Sequence, residues 1–211
     1  MVEKTDDDLL VDWREGDRRA GKALFERYYD AINRFFRNKV GAAEAQDLVQ
    51  KTFLGCLEGF ERFRGDGEFR TWLFAVAYRQ LCKHYRARNR EQERFDVGEV
   101  TARDVDPTPS RVYAKLREQR LLLEALRRIP VPMQVALELR YWEQMTDVQI
   151  AQALDMPLGT FKSRLRRAKQ LLAEAITEIS SSQDELQSTL GNLDGWAEQL
   201  RELALGSDES D

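Results

Sequence analysis

A cluster of cations around residue 165 is the first feature of the sequence that can carry chemistry. Residues 159–173 hold five Lys or Arg side chains and no acidic residue. Arginine can bond guanine through two hydrogen bonds, and Ser or Thr can reach bases or phosphates. The stretch therefore predicts DNA contacts from the polar residues of one helix: Thr160, Lys162, Ser163, Arg164, Arg166, Arg167 and Lys169.

The residues before this cluster predict the elements that position it. Residues 133–142 have the pattern of a support helix, and Thr146 with Gln149 has the spacing of a capping box for a short second helix. Residues 155–157 (Asp-Met-Pro) predict the turn that leads into the cationic helix. Two short helices joined by such a turn predict a helix-turn-helix. The alternative is an αα-hairpin with a cationic outer face.

A second basic row lies in residues 63–90. Arg79, Lys83, Arg86 and Arg90 recur at helical spacing, so they share one face of a predicted helix. Aromatic side chains interleave with them and could stack on unpaired bases: Phe69, Trp72, Phe74, Tyr78 and Tyr85. The alternative is a solvated basic face above aromatic residues that belong to the core.

The overall charge conceals this pattern. The 211 residues have a net charge of −4, but residues 1–90 and 115–180 are each +3, whereas residues 91–114 are −3 and residues 181–211 are −7. Two mildly basic blocks are thus separated by one acidic stretch and followed by another. This distribution is compatible with nucleic-acid binding by the two blocks.

Composition argues against several other classes. No apolar run approaches the roughly 20 residues that span a bilayer, and the acidic N-terminus lacks the apolar segment of a secretory signal. We therefore expect a cytoplasmic protein. Two cysteines and one histidine make a zinc site implausible, and no cofactor-binding motif is present. The acids are scattered, so we expect no nucleic-acid-cleaving enzyme.

The hydrophobic pattern predicts an all-α protein. Apolar residues recur at helical spacing in 22–39, 44–63 and 69–88, and again between residues 116 and 172, without sustained alternation. Residues 91–114 contain Pro107, Pro109 and few large apolar residues, which favours a linker over a long internal loop. We therefore expect two small helical domains, a linker and a C-terminal helical extension.

Three groups of residues carry a resemblance to a known family. These are Asp47-Leu48-Val49-Gln50 with Thr52-Phe53, then Phe63-Arg64-Gly65 with Phe69-Arg70-Thr71-Trp72-Leu73, and finally Gly159-Thr160-Phe161-Lys162-Ser163-Arg164. In this order the chain resembles the extracytoplasmic-function (group IV) sigma factors over residues 8–175. The resemblance implies a region 2 domain over 1–90, a linker over 91–114, a region 4 helix-turn-helix over 115–178 and an acidic extension over 179–211.

The resemblance also implies partners and roles. Region 2 would bind core RNA polymerase and hold the bases of the promoter −10 element, and the helix-turn-helix would read the −35 element. The implied −10 contacts are Arg64, Phe69, Trp72, Phe74, Arg79, Lys83 and Arg86. Two roles remain open for Trp72: packing in the core or taking part in promoter melting. The family often has small amides at the positions of Arg79 and Lys83, so the −10 sequence preference does not follow from it.

The segment that matches the polymerase-docking helix departs from the family in charge. The implied contacts with the basic clamp coiled coil of the largest polymerase subunit are Glu44, Asp47, Leu48, Gln50 and Lys51. Members of the family usually have acidic residues at the positions of 44, 46, 47 and 51, with a summed charge of −4. The same four positions of this chain carry a summed charge of −1. We hypothesise that the chain binds polymerase poorly until phosphorylation of Thr52, or of a neighbour, by a Ser/Thr kinase restores much of the missing charge. The alternative is that Thr52 is an ordinary helix residue.

Residues 181–211 extend beyond most members of the family. Leucines and one alanine form a helical stripe with an acidic outer face: Leu186, Leu190, Leu193, Ala197 and Leu200. This tail either packs on region 4, stays partly disordered, or folds over a cationic DNA face and restrains it. An anti-sigma factor is a further candidate regulator. A stand-alone helix-turn-helix regulator remains the alternative function, although it explains only the second block.

Overall fold

A computed structural model describes residues 4–63, 68–88, 100–102 and 117–179 of the chain. The predicted all-α class is confirmed, since the described residues contain no β-strand beyond one isolated bridge between Thr101 and Pro130. A single 3₁₀ turn, Phe60–Arg62, follows the third helix. The helices are α1 Asp6–Arg14, α2 Arg18–Arg37, α3 Ala42–Gly59, α4 Phe69–Arg88, α5 Arg117–Arg128, α6 Val131–Tyr141, α7 Asp147–Ala153 and α8 Leu158–Ile179.

Helices α1–α4 form the N-terminal bundle. A capping box between Thr5 and Asp8 starts α1, and the Asp17 side chain caps α2. The interior is aromatic and aliphatic, with Leu24, Phe36 and Leu73 all fully buried. This rigid core holds α3 and α4 with one face of each toward solvent.

Helices α5–α8 form the C-terminal bundle and contain the predicted helix-turn-helix. The reciprocal hydrogen bonds of Thr146 and Gln149 start α7, which confirms the predicted capping box. Asp155 adopts a positive φ of 52° in the turn, a conformation that aspartate tolerates better than most residues. The turn then delivers the chain into α8 at Leu158.

The two bundles pack against each other. Helix α7 lies on α4, and one continuous apolar cluster runs from the N-terminal bundle into α6, α7 and the start of α8. A second cluster joins α5, α6 and the rest of α8. The relative placement of the two bundles was not predicted from the sequence.

Part of the predicted linker contacts the C-terminal bundle. The backbone N–H of Val131 donates to the Val100 carbonyl at 2.7 Å, and Ala102 is fully buried. The rest of 91–114, the tail 181–211, and the predicted contacts Arg64 and Arg90 lie outside the described residues.

Candidate nucleic-acid interface

The N-terminal half of α8 presents the predicted polar face to solvent. Phe161 is fully buried and Ala168 packs in the second cluster, so the opposite side of α8 must point outward. Six of the seven predicted DNA-contacting residues are exposed: Thr160, Lys162, Ser163, Arg166, Arg167 and Lys169. Because α8 begins only two residues before Thr160, these side chains occupy the end of the helix that enters a major groove in helix-turn-helix proteins.

Arg164 is the seventh residue, and it points elsewhere. Its side chain is half-buried and interacts with Tyr78 and Cys82 on α4. Burial raises the pKa of Tyr78 to about 12, and the Arg164 guanidinium opposes that rise. Arg164 is therefore engaged by the other bundle in this arrangement.

Helix α4 carries the second basic face. Arg79, Lys83 and Arg86 are all exposed, as their spacing predicted. Tyr78 is half-buried beside them. A row of cations at this spacing suits a phosphate backbone, because each guanidinium or ammonium can meet a different phosphate.

Three aromatic residues predicted to stack on bases belong to the core instead. Phe69 is 1% exposed, Phe74 is fully buried and Tyr85 is 4% exposed, so no base can stack on these rings while the helices pack in this way. Phe74 lies edge-on to Phe35, with the ring centroids 5.8 Å apart. The interleaved aromatic pattern arises because α4 is the central helix of the N-terminal core, not because its rings face solvent.

Trp72 has an intermediate position. Its ring stacks on Phe63 with the centroids 4.7 Å apart and an angle of 19° between planes. The side chain is half-buried, so part of it remains accessible. Trp72 thus packs on Phe63 and is still partly open to a neighbour.

The predicted polymerase-docking residues on α3 divide between surface and core. Glu44, Asp47, Gln50 and Lys51 are exposed, whereas Leu48 is 2% exposed and packs inward. Leu48 therefore cannot contact a partner directly, because helical geometry turns it toward the bundle. Lys51 Nζ lies 2.5 Å from the Asp47 carboxylate, so this pair presents no net charge at the centre of the face.

An apolar extension of this α3 face was missed by the sequence reasoning. Leu54 and Leu57 are both 51% exposed, and Tyr29 on α2 is 47% exposed beside Phe53. Leu54 follows Asp47 by seven residues and Lys51 by three, which is the signal that places it on the same side of α3.

The structure does not support phosphorylation of Thr52. Thr52 is fully buried, and its hydroxyl donates to the Leu48 carbonyl at 2.7 Å. A kinase needs the hydroxyl in an extended, accessible segment, whereas here it lies inside the N-terminal bundle. The helical period that puts Asp47, Gln50 and Lys51 outward is what turns Thr52 inward.

The described helices offer neither a metal site nor a membrane span. No group of three or more potential metal ligands comes together within these residues, and none of their helices is long and apolar enough to cross a bilayer. Cys56 is fully buried, and burial raises the pKa of its thiol to about 12.

Comparisons with known families match both bundles. The family model described as Sigma-70 region 2 matches residues 24–91, and the model described as Sigma-70, region 4 matches residues 119–172. The first range contains the basic face of α4 and the exposed face of α3. The second contains the whole helix-turn-helix.

Individual proteins match over most of the chain. The ECF RNA polymerase sigma-E factor of Haemophilus influenzae is 29% identical over 190 residues, covering 85% of this chain and all of that protein. The RNA polymerase sigma-H factor of Pseudomonas aeruginosa is 27% identical, covering 85% of this chain and 97% of that one.

Solved structures share the fold. CnrH, in a complex with the cytosolic domain of CnrY, has a TM-score of 0.62 at 20% identity over 82% of this chain and 97% of that one. The sigma factor RpoE of Bartonella quintana, in a complex with the anti-sigma factor NepR, has a TM-score of 0.59 at 22% identity over 75% and 98%. The two matched regions, taken with the sigma-E and sigma-H relatives, establish that the chain belongs to the ECF RNA polymerase sigma factors.

Proposed function

We propose that this protein is a non-enzymatic specificity subunit that directs core RNA polymerase to promoters through two separate DNA-reading helices. The observation that carries the proposal is the exposed polar face at the start of α8, which the capping box of α7 and the turn at Asp155 hold outward. A stand-alone helix-turn-helix regulator would need only α5–α8. It would leave the basic face of α4 and the exposed face of α3 without a role.

In this proposal residues 115–178 read the −35 element. Arg166 lies on the exposed face two turns into α8 and has the reach for a bidentate bond with guanine. Thr160 and Ser163 are short donors in the first turns, and Lys162, Arg167 and Lys169 suit phosphates. Arg164 joins this set only after it leaves Tyr78.

Residues 1–90 bind the −10 element and core polymerase. On α4 we assign phosphate contacts to Arg79, Lys83 and Arg86, and a base contact to the half-buried Trp72. The proposed base contact for Arg64 lies outside the described residues. Phe69 and Phe74 are given packing roles only.

Core polymerase would dock on the exposed face of α3. Glu44, Asp47 and Gln50 supply polar contacts, and Leu54 supplies an apolar one. The same surface is also the candidate site for a regulator of the anti-sigma type, since solved relatives include a sigma factor bound to an anti-sigma factor. An apolar patch flanked by acids suits a basic amphipathic helix.

The function is tested by transcription on a promoter library with core polymerase. We expect the protein to co-purify with core polymerase and to select one promoter class. Arg166→Ala should cost about 1–3 kcal/mol of binding at one base position and relax selection there, whereas Lys169→Ala should weaken binding to all sequences alike. DNA binding without polymerase association would favour the stand-alone regulator. If the protein selected no promoter from the library, the proposal would be refuted.

The charge on the α3 face gives a further prediction. Lys51→Glu would turn a neutral pair into two adjacent acids facing a basic partner, so we expect a several-fold faster association with core polymerase. Lys22→Glu is the matched control. Lys22 lies on α2, is likewise exposed and pairs with Glu26 four residues further along the same helix. Association rates are measured at two salt concentrations. Equal rates for both variants and the unaltered protein would remove α3 from the docking site.

A further inference from the structure

Helix α1 carries none of the residues assigned to DNA or to polymerase. The match to Sigma-70 region 2 begins at residue 24, beyond the end of α1 at Arg14. The last turn of α1 is nevertheless attached to the segment that leads from α3 toward α4. Two neighbouring side chains make this attachment, Trp13 and Arg14.

Trp13 packs α1 onto the 3₁₀ turn that follows α3. Its indole stacks on the ring of Phe60, with the centroids 3.6 Å apart and 19° between the planes, and it lies edge-on to Phe25. Gly21 on α2 leaves room for the indole, because a Cβ at that position would come within 2.7 Å of it. These contacts hold the end of α1, and therefore the backbone of Arg14, in a defined place beside the turn.

Arg14 restrains Phe63, the residue at which the 3₁₀ turn ends. Its Nη2 donates a hydrogen bond to the Phe63 carbonyl at 2.6 Å. Its guanidinium carbon lies 6.0 Å from the centroid of the Phe60 ring and 5.8 Å from that of the Phe63 ring. A charged donor makes a stronger hydrogen bond than a neutral one, and a guanidinium stays protonated throughout the physiological pH range. Arg14 therefore holds both the backbone and the ring of Phe63.

Phe63 links Arg14 to Trp72. The rings of Phe63 and Trp72 stack with the centroids 4.7 Å apart, and Phe69 lies 6.3 Å from the first and 5.8 Å from the second. A Cβ at Gly59 would lie 3.2 Å from Trp72 Cζ2, so the end of α3 also packs closely on the indole. The position of the Phe63 ring thus helps to fix the position of the half-buried Trp72.

A fixed indole favours promoter opening more than it favours binding of closed duplex. Taking a base out of the duplex costs free energy that stacking on a side chain must offset. A ring that is already held in place loses less conformational freedom when the base arrives, so it offsets more of that cost. The phosphate contacts assigned to Arg79, Lys83 and Arg86 require no unpaired base.

We propose that Arg14 is a positioning residue for promoter opening: it holds Phe63, and through Phe63 the Trp72 indole, in place before a base arrives. The inference rests on the proposed function, because it takes Trp72 as the residue that contacts a −10 base. It requires no contact between Arg14 and DNA.

The experiment measures binding and opening separately, with the full-length protein, core polymerase and a promoter selected from the library. One template carries 2-aminopurine in the −10 element, where its fluorescence rises as the base unstacks, and a second template has the same element already unpaired. Arg14→Met keeps the aliphatic length of the side chain and removes its charge and its donors. We expect about fivefold slower opening of the duplex, equivalent to about 1 kcal/mol at about 1.4 kcal/mol per tenfold. At saturating protein concentration, initiation on the unpaired template should keep its rate.

Arg19→Met is the matched control. Arg19 is also an exposed arginine, at the start of α2, and its replacement makes the same change of charge. We expect this variant to open the duplex promoter at the unaltered rate. Phe63→Leu tests the route to Trp72, because it removes the ring that stacks on the indole. Adding Arg14→Met to Phe63→Leu should then slow opening no further.

Four results would overturn the proposal. The first is unchanged opening by Arg14→Met, and the second is an equal loss on both templates, which indicates a general structural defect. The third is weaker binding of Arg14→Met to closed duplex, which indicates a direct contact with DNA. The fourth is additive losses for Arg14→Met and Phe63→Leu, which show that Arg14 does not act through Phe63. If Trp72→Ala left opening unchanged, or the unaltered protein opened no promoter, the proposed function itself would fail instead.

Discussion

Replacing Phe161 with alanine is expected to abolish −35 recognition and to leave α1–α4 folded. Phe161 is completely buried and belongs to the apolar cluster that also contains Ile150 and Leu154. Removing a buried phenylalanine side chain costs about 3–5 kcal/mol, which is a large part of the stability of a small domain. The polar face of α8 then loses the anchor that turns it outward.

The loss should appear in two measurements of the same variant. Binding to −35 DNA should disappear, and the thermal midpoint of unfolding should fall. Leu158→Ala is the control, because Leu158 belongs to the same helical turn but is 37% exposed. We expect it to change stability by no more than about 0.5 kcal/mol. Retention of −35 binding by the Phe161 variant would mean that α8 is not the reading helix.

Local signals explain why the helix-turn-helix could be predicted from the sequence. The capping box of Thr146 and Gln149, the turn at Asp155 and the cationic face of α8 each depend on residues within a few positions of one another. Such features can be recognised in the sequence, because helix caps and tight turns have strong residue preferences. The predicted and observed elements agree to within about two residues there.

Burial was harder to infer, because periodicity identifies a face but not the number of neighbours that cover it. On α4 the cations Arg79 and Lys83 were placed correctly, while Phe69 and Phe74 proved to be core residues. On α3 the hydroxyl that seemed available for modification belongs to the buried side. Both errors arose because exposure was inferred from residue type. Other helices pack on several sides of α4, whereas α3 leaves Leu54 exposed to solvent.

Contacts between the bundles had no signal in the sequence. Glu138 lies 99 residues from Lys39, and Glu143 lies 109 residues from Arg34. Each of these side chains has the type expected of a helix surface. These side chains form an interface only because the two bundles pack together. No local residue preference specifies how the bundles pack.

Replacing Glu138 alone is expected to separate the two bundles. Glu138→Ala would leave the Lys39 ammonium buried without its paired carboxylate, facing the Phe35 carbonyl 2.5 Å away, the Phe35 ring and the Glu143 charge. Burial already lowers the pKa of Lys39 and raises that of Glu138, and the attraction between them opposes both shifts. Removing one partner of a buried pair typically costs about 3–5 kcal/mol.

The bundles can avoid most of this cost by opening, because Lys39 then returns to water. We therefore expect the unaltered protein to unfold in one transition and Glu138→Ala to unfold in two, one for each uncoupled bundle. Circular dichroism during urea titration measures this directly. The joint replacement Lys39→Met with Glu138→Leu removes both charges and keeps the volume, so a single transition should return, at an equal or higher urea concentration. One unchanged transition for Glu138→Ala would show that the ion pair does not couple the bundles.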